Sequence, residues 1–121
     1  MGNKKTLVIG ASTNPTRYSY LAIQSLLKHG NDVVALAKRE GKVADISIQT
    51  KWPDREYFHT VTLYIGPQRQ YEYYNFLLEL KPKRVIFNPG TENNELAEKL
   101  ENNGVEAIEA CTLVLLSTGQ Y

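Results

Sequence analysis

The sequence is poor in the side chains that most often carry catalysis or bind metals. Its 121 residues include one cysteine and two histidines. A single cysteine, Cys111, cannot form an intramolecular disulfide, which is typical of proteins from a reducing compartment. One cysteine and two distant histidines cannot form a closed zinc site, so we predict no metal site.

Long apolar runs and an excess of one charge are also absent. Only three apolar residues, Leu7 to Ile9, precede Gly10, too few for the apolar part of a signal peptide. No window approaches the roughly 18 apolar residues of a membrane span. The formal net charge is +1, whereas nucleic-acid-binding domains are usually strongly basic. We therefore expect a cytoplasmic protein that binds neither membranes nor nucleic acids.

The chain does contain enough apolar residues, 42% of the total, for one ordered domain over residues 1–121. Apolar runs and helical stripes alternate along it. We predict five strands at Thr6–Ile9, Asp32–Ala37, Val61–Ile65, Arg84–Phe87 and Val105–Ile108. We predict helices at Ser19–His29 and Gln68–Leu80, and from an N-cap at Thr91 to about Asn103.

This alternation predicts a Rossmann-like, doubly wound α/β fold with a five-stranded parallel sheet and helices on both faces. The expected strand order is 3-2-1-4-5, which puts a ligand crevice between strands one and four. The loops Gly10–Tyr18 and Asn88–Thr91 would border it. Two shorter segments are left open: Ile46–Gln49 as an edge strand or extended segment, and Thr112–Leu116 as a short helix or docking tail.

The loop after the first strand reads Gly-Ala-Ser-Thr-Asn-Pro-Thr-Arg-Tyr over residues 10–18. Gly10 permits a tight turn, and short polar side chains follow it. The next helix would present free backbone N–H groups and its positive dipole end, and Arg17 adds a charge that can bind a phosphate. The loop lacks the second and third glycines of a dinucleotide fingerprint and the Gly-Lys of a Walker loop. It therefore predicts an anion site, although a turn with only a capping role has the same composition.

The residues at the end of the second strand indicate which kind of anionic ligand this site would bind. NAD-binding folds place an acidic residue there to hold the ribose hydroxyls. Here Ala37 is followed by Lys38 and Arg39. A basic strand end favours a ligand with a phosphate on its adenosine ribose, such as coenzyme A (CoA) or NADP, although a solvated Lys-Arg pair remains open.

These residues resemble a known family, the small stand-alone CoA-binding proteins related to the N-terminal domain of the succinyl-CoA synthetase α subunit. The resemblance covers essentially the whole chain. It is carried by Val8-Ile-Gly-Ala-Ser12, Asn14-Pro15, Arg17, Ser19, Gly30, the Asp32–Leu36 strand, Asn88-Pro-Gly90, and Gly104 to Cys111. The chain departs from the family after strand two, where an Asn-Pro is usual.

The resemblance implies that the CoA diphosphate lies on the Ser12–Ser19 turn and the adenosine near Ala37, Lys38, Ile65 and Gly66. The full set of expected cofactor-binding residues is Gly10, Ala11, Ser12, Thr13, Asn14, Pro15, Arg17, Ser19, Ala37, Lys38, Arg39, Ile65, Gly66 and Asn88.

No residue is predicted to be catalytic. His29 suits a helix C-terminus, His59 lies opposite the predicted crevice, and Cys111 is expected to be a buried, inert thiol. In synthetases of the resembled kind, the phosphorylated histidine lies in a second domain. We therefore expect a CoA-binding module without catalytic activity. A small NADP-dependent enzyme and a degenerate Rossmann domain used for protein contacts are the alternatives, and a protein partner or homo-oligomer is left open.

Overall fold

A computed structural model describes residues 3–54 and 56–121 of the chain. Its strands are β1 Thr6–Ile9, β2 Val33–Leu36, β3 Gly41–Val43, β4 Ile46–Gln49, β5 Thr60–Leu63, β6 Arg84–Phe87 and β7 Glu106–Glu109. Its α-helices are α1 Tyr18–Lys28, α2 Pro67–Gln70, α3 Tyr74–Leu80, α4 Asn94–Asn102 and α5 Thr112–Ser117. A 3₁₀ turn, Tyr71–Tyr73, joins α2 to α3.

The strands form one seven-stranded sheet in the order β3-β4-β2-β1-β5-β6-β7. Every pairing is parallel except that of β3 with β4. The α/β class with a mainly parallel sheet is confirmed, but the predicted five strands in the order 3-2-1-4-5 are wrong. The predicted third strand, now β5, pairs with β1, and β4 takes the outer place beside β2.

The burial patterns of β5 and β4 explain why the strand order differs from the prediction. All four residues of β5 are buried, as in a strand covered on both faces. In β4, by contrast, Ile48 is buried while Ser47 and Gln49 are exposed, the alternation of a strand near the sheet edge. When β4 is counted as the third parallel strand, the six parallel strands run 3-2-1-4-5-6, the Rossmann order.

The corrected order moves the point where the strand order reverses. It lies between β1 and β5, so the second bordering loop is the one that follows β5, at Tyr64–Gly66. The loop Asn88–Thr91 follows β6, which β5 separates from β1, so it does not flank the reversal as predicted. Pro89 and Thr91 of this loop nevertheless line the cleft at this edge of the sheet.

Helices cover both faces of the sheet, and each face has its own core. One core contains Phe58, which precedes β5, and Phe87 of β6, together with Leu77 of α3 and Leu96 of α4. The other contains Val8 of β1, Ile23 and Leu26 of α1, and Leu116 of α5. The segment Thr112–Leu116, left open by its sequence, is thus a helix that packs in this second core.

One predicted helix end is confirmed, and two other features of the helices differ from the prediction. Gly30, with φ +81°, follows the end of α1 as predicted for a C-terminal glycine. The N-cap of α4 is Asn93 rather than Thr91, because the Asn93 side chain accepts a hydrogen bond from the Leu96 N–H at 3.3 Å. The single helix predicted over Gln68–Leu80 is instead two helices joined by the 3₁₀ turn.

The longest helix in the described part of the chain is α1, with 11 residues. None of the helices there has the length and apolar character needed to cross a membrane.

Candidate functional site

The turn from β1 to α1 is fixed by contacts with the strands on either side of β1. The N–H groups of Gly10 and Ala11 both donate to the Leu36 carbonyl at the end of β2, at 2.9 and 3.2 Å. On the other side, a Cβ added to Gly10 would lie 3.0 Å from the Tyr64 carbonyl carbon. Because Gly10 also has φ +94°, only glycine fits this place without strain.

Hydrogen bonds within the turn set its shape. The Asn14 N–H donates to Ser12 Oγ at 3.0 Å, and the Thr16 N–H and hydroxyl donate to Asn14 Oδ1 at 3.0 and 2.8 Å. In these bonds the side chains of Ser12 and Asn14 act only as acceptors, through their oxygen atoms. The Ser12 hydroxyl hydrogen and the Asn14 amide hydrogens remain able to donate to a ligand.

The start of α1 adds unpaired backbone donors. In the described part of the chain, no protein acceptor contacts the N–H groups of Ser12, Thr13, Tyr18 or Ser19. Arg17 is the N-cap residue, with the extended backbone that is usual there, but its side chain has no acceptor and forms no capping hydrogen bond. Free N–H groups and the helix dipole favour an anion at this end of α1.

An edge strand that the sequence did not indicate supports this turn. Thr13 packs against Gly41 of β3 so closely that a Cβ at Gly41 would collide with the Thr13 methyl group. The hairpin of β3 and β4 therefore helps to hold the turn in place. The missing side chain at Gly41 is the one sequence signal of this contact.

The turn forms one side of a cleft of about 900 Å³ at the carboxyl edge of the sheet. Ten of the predicted cofactor-binding residues line it: Gly10, Ala11, Ser12, Thr13, Asn14, Arg17, Ser19, Ala37, Lys38 and Arg39. Seven further residues complete the lining: Tyr18, Glu40, Ile48, Tyr64, Arg69, Pro89 and Thr91.

Four predicted residues, Pro15, Ile65, Gly66 and Asn88, are outside this lining. Asn88 is only 3% exposed, and its amide nitrogen donates to Thr62 Oγ1 and to the Leu63 carbonyl at 2.7 and 2.8 Å. Its carbonyl oxygen accepts the Thr112 N–H at 2.9 Å. Asn88 thus joins β5, β6 and α5 beneath the cleft.

Gln70, which sequence analysis missed, has a similar structural role. It is fully buried, and its amide nitrogen donates to the carbonyls of Ile65 and Thr91 at 2.9 and 2.8 Å. Its oxygen accepts a hydrogen bond from Asn93 at 2.9 Å. Gln70 therefore holds the loops after β5 and β6 together behind the cleft. No sequence signal separates it from the exposed glutamine Gln68 in the same helix.

The charge of the lining is strongly positive. It contains four cations, Arg17, Lys38, Arg39 and Arg69, and a single carboxylate, Glu40. Lys38 forms an ion pair with Glu72 at 2.7 Å, and this hydrogen bond is the main reason that the pKa of Lys38 is raised. Within residues 3–54 and 56–121, no acidic side chain pairs with the three guanidinium groups. Such a cleft favours a ligand with several negative charges.

Tyr64 lies in the wall of the cleft. Its hydroxyl group is buried without a hydrogen-bond partner in the described part of the molecule, and burial raises the pKa of Tyr64 to about 12. At neutral pH the group is therefore an uncharged phenol.

The histidines and the cysteine lie away from the cleft lining. His29 bonds the Ser25 carbonyl at the end of α1 through Nδ1, at 2.8 Å. His59 precedes β5 at the opposite sheet edge, where burial and then the nearby Arg84 lower its pKa. Cys111 is partly exposed, so the expectation of a buried thiol is wrong, because the residue stands at the start of α5 rather than within the core.

Comparison with known proteins identifies the class that this fold and cleft define. The model of the CoA binding domain family matches residues 4–117, and the chain belongs to that family. The resemblance found in the sequence is thereby confirmed. No curated protein matches the chain significantly.

Three solved structures show how widely the fold is shared. An uncharacterised protein is 48% identical, with a TM-score of 0.96 and full coverage of both chains. A hypothetical protein from Pyrococcus horikoshii OT3 is 25% identical, with a TM-score of 0.84 over 96% of this chain and 83% of that one. A dinucleotide-forming acetyl-coenzyme A synthetase from Ca. Korarchaeum cryptofilum shares the fold at 13% identity, with a TM-score of 0.69 over 88% of this chain and 26% of the synthetase.

Proposed function

We propose that this protein binds CoA in the cleft between the β1–α1 turn and the end of β2, and that it has no catalytic activity of its own. The observation that carries the proposal is the convergence of four cations and unpaired backbone N–H groups on one cleft. Membership of the CoA binding domain family supports the same ligand.

The charges and size of the cleft suit CoA. Its diphosphate carries about two negative charges, and its ribose phosphomonoester carries about 1.5 to 2 more near neutral pH. The lining offers four positive charges against one negative charge. The cleft volume of about 900 Å³ lies within the range of roughly 300–1,000 Å³ that is usual for small-molecule sites.

Each part of the ligand would have its own partners. The turn from Ser12 to Ser19, with Arg17, would hold the diphosphate through N–H groups and charge-assisted hydrogen bonds. Ala37, Lys38 and Arg39 would lie beside the adenosine. Pro89 and Thr91 line the cleft as well and would lie along the pantetheine arm.

The absence of catalysis is proposed from the chemistry of the lining. Its titratable side chains are the four cations, Glu40, and two tyrosines, Tyr18 and Tyr64. No histidine or cysteine of the described residues lines it. The serine and threonine hydroxyls of the lining have no histidine or carboxylate hydrogen-bonded to them within the described residues. The lining therefore offers no nucleophile paired with a base, which acyl transfer usually requires.

Isothermal titration calorimetry with CoA and with NADP tests the ligand. We expect CoA to bind and Arg17→Ala to weaken it by about 1–3 kcal/mol, the value of a charge-assisted hydrogen bond. Lys99→Ala, which removes an exposed cation of α4, should leave the affinity unchanged. Binding of NADP alone would contradict the proposal and favour a nucleotide-dependent enzyme. No binding of either ligand at millimolar concentration would favour a domain used for protein contacts.

Acetyl-CoA tests the second half of the proposal. We expect the protein to release no free thiol from acetyl-CoA above the rate in buffer, as followed with a chromogenic thiol reagent. Turnover that disappears in the Arg17→Ala variant would contradict a purely binding role.

A further inference from the structure

Arg69 is a cation of the cleft that sequence analysis did not select. It lies in α2, after β5, whereas Lys38 follows β2. Because β2 and β5 flank β1 and neighbouring strands are about 4.8 Å apart, the ends of β2 and β5 are separated by about 10 Å. Lys38 and Arg69 thus line the cleft from the two sides of β1.

Glu72 shows that side chains from these two sides meet. It stands three residues after Arg69, and its carboxylate contacts Lys38 Nζ at 2.7 Å. The Lys38 and Glu72 side chains are 60% and 45% exposed, so a dissolved anion can reach the contact. The positive charge of Arg69 is the smallest of the effects on the pKa of Lys38 and disfavours its charged form, whereas the hydrogen bond with Glu72 raises that pKa overall. An anion between Lys38 and Arg69 would relieve this repulsion.

We infer that Lys38 and Arg69 together bind the phosphomonoester on the ribose of the ligand, and that Glu72 competes with this phosphate for Lys38. The inference rests on the proposed function and names the residues that select a phosphorylated ribose. A phosphate dianion offers more acceptor oxygens than the Glu72 carboxylate and can bind the Arg69 guanidinium at the same time. Glu72, as a like charge, opposes its entry.

Arg17 would bind the diphosphate of the ligand rather than its ribose phosphate. It stands at the N-cap of α1, next to the turn that would hold the diphosphate. CoA and dephospho-CoA both contain that diphosphate, and they differ in the ribose phosphate alone. Loss of Arg17 should therefore weaken both ligands by the same factor, whereas loss of Arg69 should weaken CoA selectively.

Calorimetric titration of the full chain with CoA and dephospho-CoA tests the inference. We expect Arg69→Ala to weaken CoA about tenfold, as for loss of one charge-assisted hydrogen bond, and dephospho-CoA less than about twofold. Glu72→Gln should tighten CoA severalfold and leave dephospho-CoA unchanged. Arg69→Lys should restore part of the CoA affinity, and Lys99→Ala should change neither ligand. Far-ultraviolet circular dichroism verifies that each variant is folded.

Failure of the inference is distinguishable from failure of the proposed function. If wild-type protein binds CoA no more tightly than dephospho-CoA, or if Arg69→Ala weakens both equally, the inference is overturned while CoA binding stands. If Glu72→Gln weakens CoA, Glu72 supports Lys38 rather than competing for it, which also overturns the inference. If wild-type protein binds neither ligand, the proposed function itself is overturned.

Discussion

Replacement of Gly10 by alanine tests the packing of the β1–α1 turn against β5. Two separate penalties are expected. The backbone of Gly10 has φ +94°, and holding an L residue in such a conformation costs about 1–3 kcal/mol. The new Cβ would also lie 2.9 Å from the Ile65 side chain and 3.0 Å from the Tyr64 carbonyl carbon. Because the Tyr64 contact is with backbone, it can be relieved only by a shift of the turn or of β5.

Gly90 provides a matched control that separates the two penalties. Its φ of +91° is nearly the same, but a Cβ at Gly90 would meet no atom within 4 Å. Gly90→Ala therefore carries the conformational penalty without the steric one. Both substitutions restrict the unfolded chain equally, so that effect cancels in the comparison. The steric penalty alone should be about 1–3 kcal/mol, as for other overpacked sites.

Urea unfolding measures this difference. Trp52 is a suitable fluorescence probe, since its ring packs on Tyr73 and Phe76 at centroid distances of 5.3 and 5.0 Å and loses both neighbours on unfolding. We expect Gly10→Ala to lower the free energy of unfolding by about 1–3 kcal/mol more than Gly90→Ala does. Equal losses in the two variants would refute the close approach of the turn to β5.

Two further predictions concern buried polar groups. Gln70→Leu should lower the free energy of unfolding by about 2–4 kcal/mol, because it leaves the Ile65 and Thr91 carbonyls without their donor. Gln68→Leu, at an exposed position of the same helix, is the control. Equal losses in the two variants would contradict the role of Gln70 in holding the two loops together. Tyr64→Phe should reduce the loss of stability at alkaline pH. Because burial raises the pKa of Tyr64 from 10.0 to about 12, its contribution is complete below pH 10 and is lost between about pH 10 and 12, where the unfolded chain ionises first. The free energy of unfolding at pH 8 and at pH 11 is compared between Tyr64→Phe and Tyr57→Phe, a control at an exposed tyrosine. The same loss of stability at pH 11 in both variants would contradict the raised pKa of Tyr64.

Local patterns in the sequence were sufficient for most of the elements but not for their order in the sheet. The run Thr6–Ile9 predicted a buried strand, and it is the centre of the sheet. The error arose at β4, whose four residues are not followed by a helix that would mark a crossover. The sequence of β5, Thr-Val-Thr-Leu, alternates as in a strand with one solvated face, although all four of its residues are buried. Its place beside β1 could therefore not be inferred from its own pattern.

The candidate site was predictable where it depends on consecutive residues. The turn from Gly10 to Ser19 and the basic end of β2 are local features, and they line the same cleft in the structure. Arg69, Gln70 and Gly41 were not predictable, because their roles depend on which strand neighbours β1 and on a hairpin at the sheet edge. Once β5 is placed beside β1, the helix after β5 necessarily borders the cleft.

The most direct test of the central claim is a nuclear magnetic resonance titration of ¹⁵N-labelled protein with CoA. We expect the largest amide shifts at Ser12, Thr13, Tyr18 and Ser19, whose N–H groups face no protein acceptor within the described residues, and smaller shifts after β2 and in α2. Shifts concentrated instead at Gly119–Tyr121, which lie with Lys4 and Asn31 at the opposite edge of the sheet, would contradict a CoA site on the β1–α1 turn.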